Sequence, residues 1–163
     1  MESFFTGNIL IFAQLIVALI LGALVGLERS LAGKTAGMRT FALVSVGSAL
    51  FVIIAAAFSV SHIGLEIFDP LRVAGAVVTG VGFIGAGLII FDREGVHGLT
   101  TAAGMWVAAA IGVGIGLEFW WPAIFTTFLV LFTFAPLWFL EEKVRTSSLR
   151  RTHITIVEDN ENV

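Results

Sequence analysis

The chain of 163 residues is 58% hydrophobic and only 13% charged, with a mean hydropathy of +1.01, whereas a soluble domain is about half apolar and about a quarter charged. That is more apolar surface than one small soluble core buries. A formal net charge of -3 argues against a nucleic-acid binder, which needs a clustered basic face, and the absence of cysteine excludes disulfides, thiolate metal sites and cysteine nucleophiles.

A bilayer crossing takes about 20 mostly apolar residues, and five segments meet that requirement: about 8–27, 40–60, 71–91, 99–116 and 119–140. The expected fold is therefore an all-α membrane protein, a bundle of five transmembrane helices over 1–140 followed by a polar tail, 141–163. No Lys or Arg precedes Arg29, so the first segment lacks the basic start of a cleavable signal peptide and reads as a retained span. The connections near 28–39, 61–70, 92–98 and 117–118 are short, which makes consecutive helices antiparallel neighbours.

Basic residues favour the cytoplasmic side. Arg29, Lys34, Arg39, Arg93 and the tail bases Lys143, Arg145, Arg150 and Arg151 make up eight of the nine, with Arg72 opposite. Five spans then place the N-terminus outside and the tail in the cytoplasm.

Small residues let helix backbones approach where lipid offers no hydrophobic drive for association. Span one carries Ala18, Gly22 and Gly26 at a spacing of four, and span four carries Gly104, Ala108, Gly112 and Gly116. Span three is denser, with Gly75, Gly80, Gly82, Gly85 and Gly87, which predicts a path through the centre of the bundle. Span five is bulky with phenylalanine, and Trp120, Trp121 and Trp138 mark its two interfaces. Pro122 suits a helix start, while Pro136 predicts a kink or local opening.

A shift of 61 places Gly26 on Gly87, Gly37 on Gly98 and Thr40 on Thr101. This is the pattern of a parallel repeat of two helix hairpins; chance is the alternative, since glycine and threonine are common in membrane helices.

The polar residues with chemical potential gather at the predicted inner face. Glu28 and Arg29 close span one, Arg39 and Thr40 open span two, and Asp92, Thr100 and Thr101 flank the start of span four. The threonines can cap helix starts, whose dipoles add partial positive charge. Together these groups make a candidate vestibule, with Glu28 either binding a cation or pairing with Arg29 or Arg39. The plain alternative is that charges at span ends simply reach the headgroups. At the outer face Asp69 and Arg72 form either a local pair capping span three or a gate, and Glu66 and Glu118 complete a modest acidic rim. Between the faces the polar residues are Gln14, Ser45, Ser48, Thr79, Thr126, Thr127 and Thr133, with no acid among them. Mg²⁺ normally uses one or two carboxylates and keeps several waters, so a ring of Glu28 would require an oligomer. No nucleophile with a base and no paired acids stand out, so an enzyme is not expected.

The run Gly26, Leu27, Glu28, Arg29, then Gly33, Lys34, Ala36, Gly37, Arg39 and Thr40 resembles the GLER…GK-x-AGLRT pattern of the MgtC/SapB family. Gly80, Gly82, Phe83, Gly85, Ala86 and Gly87 are similar to its GIGFLGAG block, and Gly98, Leu99, Thr100, Thr101, Ala102, Ala103 and Trp106 to its GLTTAA-x-x-W block. Ser30 stands where that pattern usually has an acid. The resemblance implies a five-span protein of the bacterial inner membrane, linked to magnesium limitation and, in some members, to survival inside host cells. It implies action by contact with membrane partners such as the F-type ATP synthase or magnesium P-type ATPases, with a homo-oligomeric Mg²⁺ or other ion transporter as the alternative. No cofactor is implied, Mg²⁺ being a ligand or substrate. Longer members add a cytoplasmic C-terminal domain, and this chain resembles a short member without one.

Overall fold

The computed structural model describes residues 2–61, 69–93 and 95–134. Five helices occupy them: α1 (Glu2–Leu31), α2 (Met38–Ser61), α3 (Pro70–Ala86), α4 (Leu99–Gly116) and α5 (Trp120–Phe134). Two short strands, β1 (Ile90–Asp92) and β2 (Gly95–His97), pair antiparallel between α3 and α4. The chain divides into two units, residues 1–130 and 131–163. The first holds the helix packing described below, and the second contributes the last described turn of α5. Glu66, Pro136, Trp138 and the tail bases lie outside the described residues.

Three helices are long and apolar enough to cross a membrane: Asn8–Leu31, Met38–Ser59 and Leu99–Gly116. Pro70–Ala86 and Trp120–Phe134 are apolar but shorter. The predicted third span, 71–91, is therefore cut short. Its helix stops at Ala86, Gly87 and Leu88 turn, and Ile90 and Phe91 enter β1. The apolar run Leu88–Phe91 fits a helix by hydropathy, but a glycine followed by β-branched Ile89 and Ile90 favours an exit into extended chain.

The expected place of α3 at the bundle centre is also corrected. Its only buried residues are Val81 and Gly85, whereas α4 buries nine. The centre is shared by α4 and α2, and α2 packs on α1, on α4 and on α3. The cause lies in its backbone. A Cβ built on Gly26 or Gly22 of α1 would stand 2.8 Å from Gly37 O or 2.7 Å from Phe41 O. One built on Gly112 of α4 would overlap Ser45 O, and one on Gly116 would stand 2.8 Å from Ala49 O. The four carbonyls belong to residues 37, 41, 45 and 49, a row at i, i+4 along one helix face. Glycine pairs on two neighbours thus close on successive halves of one row of α2 carbonyls. Nothing larger than hydrogen fits at these contacts.

Gly37 and Gly98, 61 places apart, each stand directly before a helix, α2 and α4. Thr40 and Thr101 are each the third residue of those helices, whereas the preceding helices differ, α1 running past Gly26 to Leu31 and α3 stopping before Gly87, and only the second connection carries strands.

Candidate functional site

The end of α1 and the start of α2 form the most elaborate polar junction among the described residues. Helix α1 closes in a Schellman arrangement, in which Lys34 N donates to Arg29 O at 2.9 Å and Gly33 N to Ser30 O at 3.1 Å. Gly33 takes the left-handed conformation that this requires, φ 67°. Ser30 then reaches across the turn, its hydroxyl accepting from Met38 N at 2.9 Å and satisfying one of the free amides that begin α2. Gly37 leaves room for that hydroxyl, since a Cβ there would strike Ser30 Oγ.

Glu28 and Arg29 form a salt bridge, with Arg29 Nε and Nη2 both directed at Glu28 Oε2. Residues adjacent in a helix do not face one another, so the long guanidinium arm must fold back to reach the carboxylate. The pair is largely withdrawn from solvent, with side-chain exposures of 5% for Arg29 and 19% for Glu28. A cation at Glu28 would have to share or displace that guanidinium. Arg39 and Lys34 are exposed, and Thr40 is half-buried.

The second part of the predicted vestibule is organised differently. The N-cap of α4 is Gly98, at φ 87°, with no side-chain cap bond, so neither Thr100 nor Thr101 caps it. Thr101 is buried in the packing and Thr100 is exposed. Asp92 serves its own hairpin: its Oδ1 lies 3.3 Å from His97 Nε2 and accepts from Gly95 N at 3.1 Å. Among the described residues, no group of three His, Asp or Glu side chains is placed to hold a metal ion.

At the other end of α3, Asp69 is the N-cap and its Oδ1 accepts from Leu71 N at 2.9 Å, with Pro70 at the first helical position. The carboxylate thus caps a backbone amide, not the Arg72 guanidinium, which is exposed. Glycines 80 and 82 are exposed, with nothing within 4 Å of an added Cβ. Gly85 meets Ala102 of α4 at 3.6 Å, and Gly87 meets only the end of its own helix. Gly104 is buried within α4.

Two of the polar residues that the sequence places between the faces meet different ends. Gln14, buried in α1, donates to Ile115 O at 3.1 Å and Gly116 O at 3.4 Å, binding the carbonyl end of α4. Ser45 is fully buried at the meeting of α1, α2 and α4, and its Oγ has no hydrogen-bond partner. Ser48 and Thr127 instead bond to carbonyls one turn back in their own helices. The isolated polarity of Gln14 in an apolar span was the available signal; its target was not.

The family model described as "MgtC family" matches residues 15–143. The chain is 47% identical over 139 residues to a protein of Escherichia coli K12 named "Putative magnesium transporter YhiD", covering 78% of this chain and 63% of the relative. It is 41% identical over 128 residues to protein SrpB of Synechococcus elongatus, covering 74% and 70% respectively. To protein MgtC of Salmonella typhimurium it is 40% identical over 118 residues, covering 72% of this chain and 48% of the relative. The chain thus spans about half to two thirds of the length of these curated relatives. No solved structure matches it.

Proposed function

Given that this chain belongs to the MgtC family, we propose that it is a multi-pass protein of the bacterial inner membrane that serves magnesium homeostasis by helix-to-helix contact with membrane partners, without conducting ions itself. Its N-terminus faces outward and its tail the cytoplasm, as the distribution of basic residues favours. The membrane partners are of the class that the family resemblance implies, an ATP synthase or a magnesium P-type ATPase, and the setting is adaptation to magnesium scarcity, including growth inside host cells.

The observation that carries this reading is the closed packing of α1, α2 and α4. At Gly22, Gly26, Gly112 and Gly116 the backbones meet with no space for a methyl group, far less for a cation that keeps several waters. Within the three long apolar segments Glu28 is the one acid, about a turn from the end of α1, and it is paired with Arg29. Thr79, Gly80, Gly82 and Phe83 of α3 are meanwhile left open, a surface suited to lateral association.

That open surface also favours the second reading, a homo-oligomer that moves Mg²⁺ along a path between subunits, in keeping with the name that the Escherichia coli relative carries. Flux measurements separate the two. Purified protein in proteoliposomes should give no Mg²⁺ influx above protein-free vesicles, for the intact chain and for Glu28→Ala alike. Influx by the intact chain that Glu28→Ala abolishes would establish the transporter.

A further inference from the structure

The hairpin between α3 and α4 is too apolar for an aqueous loop. Its register pairs Phe91 with Val96, Ile90 with His97 and Asp92 with Gly95. Side chains alternate between the two faces of a strand, so Phe91 and Val96 share one face and Ile90, Asp92 and His97 share the other. The 3.3 Å contact between Asp92 and His97 fits that assignment. Phe91 is 77% exposed and Val96 46%, so nothing among the described residues covers the apolar face. An isolated two-stranded hairpin is at best marginal in water.

The length of α3 indicates what covers it. Seventeen residues span about 26 Å at 1.5 Å per residue, a few ångströms short of a hydrocarbon layer about 30 Å thick. Asp69 holds the other end of the helix at a polar boundary. The apolar run Leu88–Phe91 therefore falls where acyl chains give way to headgroups. Backbone there must find partners, and strand pairing supplies them along one edge while interfacial water reaches the other.

We propose that this hairpin is an interfacial foot: its Phe91/Val96 face lies against the acyl chains of the adjoining leaflet, its Asp92/His97 face turns to water, and Arg93 sits in the turn at headgroup level. This rests on the reading that α3 crosses the bilayer. The foot completes a span whose helix is too short and fixes the depth at which α4 begins.

The lack of native cysteine makes single-cysteine spin labelling direct. Phe91→Cys, Val96→Cys, Arg93→Cys and Thr79→Cys are labelled in proteoliposomes, and accessibility to dissolved oxygen is compared with that to an aqueous nickel chelate. Labels at 79, 91 and 96 should favour oxygen, with the ratio inverted at 93. Oxygen preference at 79 with nickel preference at 91 and 96 would overturn the foot while leaving α3 in the membrane. Nickel preference at 79 would overturn the crossing and the foot with it. Labels at 91 and 96 immobilised and shielded from both reagents would mean that protein covers the face, and would also overturn it. Should the cysteine at 91 disturb the hairpin, Phe91→Trp retains an aromatic ring, and its added emission should be quenched by brominated lipid; emission quenched by aqueous iodide instead would count against the foot.

Discussion

Glycine in this chain has two opposite environments, and the distinction is visible one residue at a time. Gly112 has the carbonyl of Ser45 where a side chain would begin, whereas Gly80 has open space. Overpacking a close contact typically costs about 1–3 kcal/mol, and here the obstructing atom is backbone, so Gly112→Ala should lose at least about 2 kcal/mol. Gly80→Ala should cost nothing within one chain and gain up to about 1 kcal/mol of helix propensity. Thermal unfolding of the two variants in detergent, monitored by circular dichroism, checks the contrast; equal losses would mean that the α3 glycines are covered by another subunit. Spacing of four is legible in sequence as a shared helix face, which is why Gly22 with Gly26 and Gly112 with Gly116 stand out as contact points. The density of glycine in α3 carries no such information about what lies opposite. Capping shows a similar limit: Thr40, Thr100 and Thr101 sit at helix starts by sequence, yet the group that caps α2 is Ser30, from the preceding helix. Which hydroxyl reaches an amide depends on how the turn between them closes.

The ends of α1 and α4 are closed by the same kind of turn, which sets those element boundaries. Helix α4 ends as α1 does, with Phe119 N donating to Gly114 O at 2.8 Å and Glu118 N to Ile115 O at 3.1 Å. The left-handed position that glycine fills in α1 is filled here by Glu118, at φ 65°. A left-handed residue with a Cβ costs roughly 1–2 kcal/mol, part of which glycine returns as lost chain entropy. Glu118→Gly should therefore raise stability by on the order of 1 kcal/mol, read as an upward shift in unfolding temperature; a fall would show that the exposed carboxylate makes a contact worth more than the strain. The same end of α4 receives Gln14 from α1, so its carbonyls are closed by both a turn and a neighbouring helix. Hydropathy located five apolar segments but not where the third helix ends. The boundary of α3 illustrates why: Leu88–Phe91 is as apolar as the helix before it, and only the turn at Gly87 and the pairing of Phe91 with Val96 separate strand from helix.

At the scale of the whole molecule, three long apolar helices and two shorter ones fit a multi-pass membrane protein. The orientation is checked by cysteine labelling in cells: Thr35→Cys should be shielded from a membrane-impermeant reagent added outside, and Gly64→Cys should react. The reverse pattern would invert the topology. The membrane class was legible in composition, because burying so many apolar residues in so short a chain demands lipid. The central role of α2 was not, because a row of backbone carbonyls leaves no mark in the side chains that carry it. Only the small residues on α1 and α4 hint at it, and α3 is as rich in glycine as α4 without making such contacts. Of the polar residues named from sequence, Glu28 pairs with Arg29, one of the two partners expected for it, while Asp92 pairs with His97 within the hairpin, a contact that depends on strand register.

The central claim, that α1, α2 and α4 close on one another without an aqueous path, is tested most directly at Ser45. Its hydroxyl is fully buried and makes no hydrogen bond, so Ser45→Cys gives up no polar contact and places the chain's single thiol where the three helices meet. In proteoliposomes, charged methanethiosulfonate reagents on either side should leave that thiol unmodified, while Thr35→Cys reacts from its own side. Rapid modification of Cys at 45, from either side and in folded protein, would reveal a water-filled route through the bundle and contradict the account.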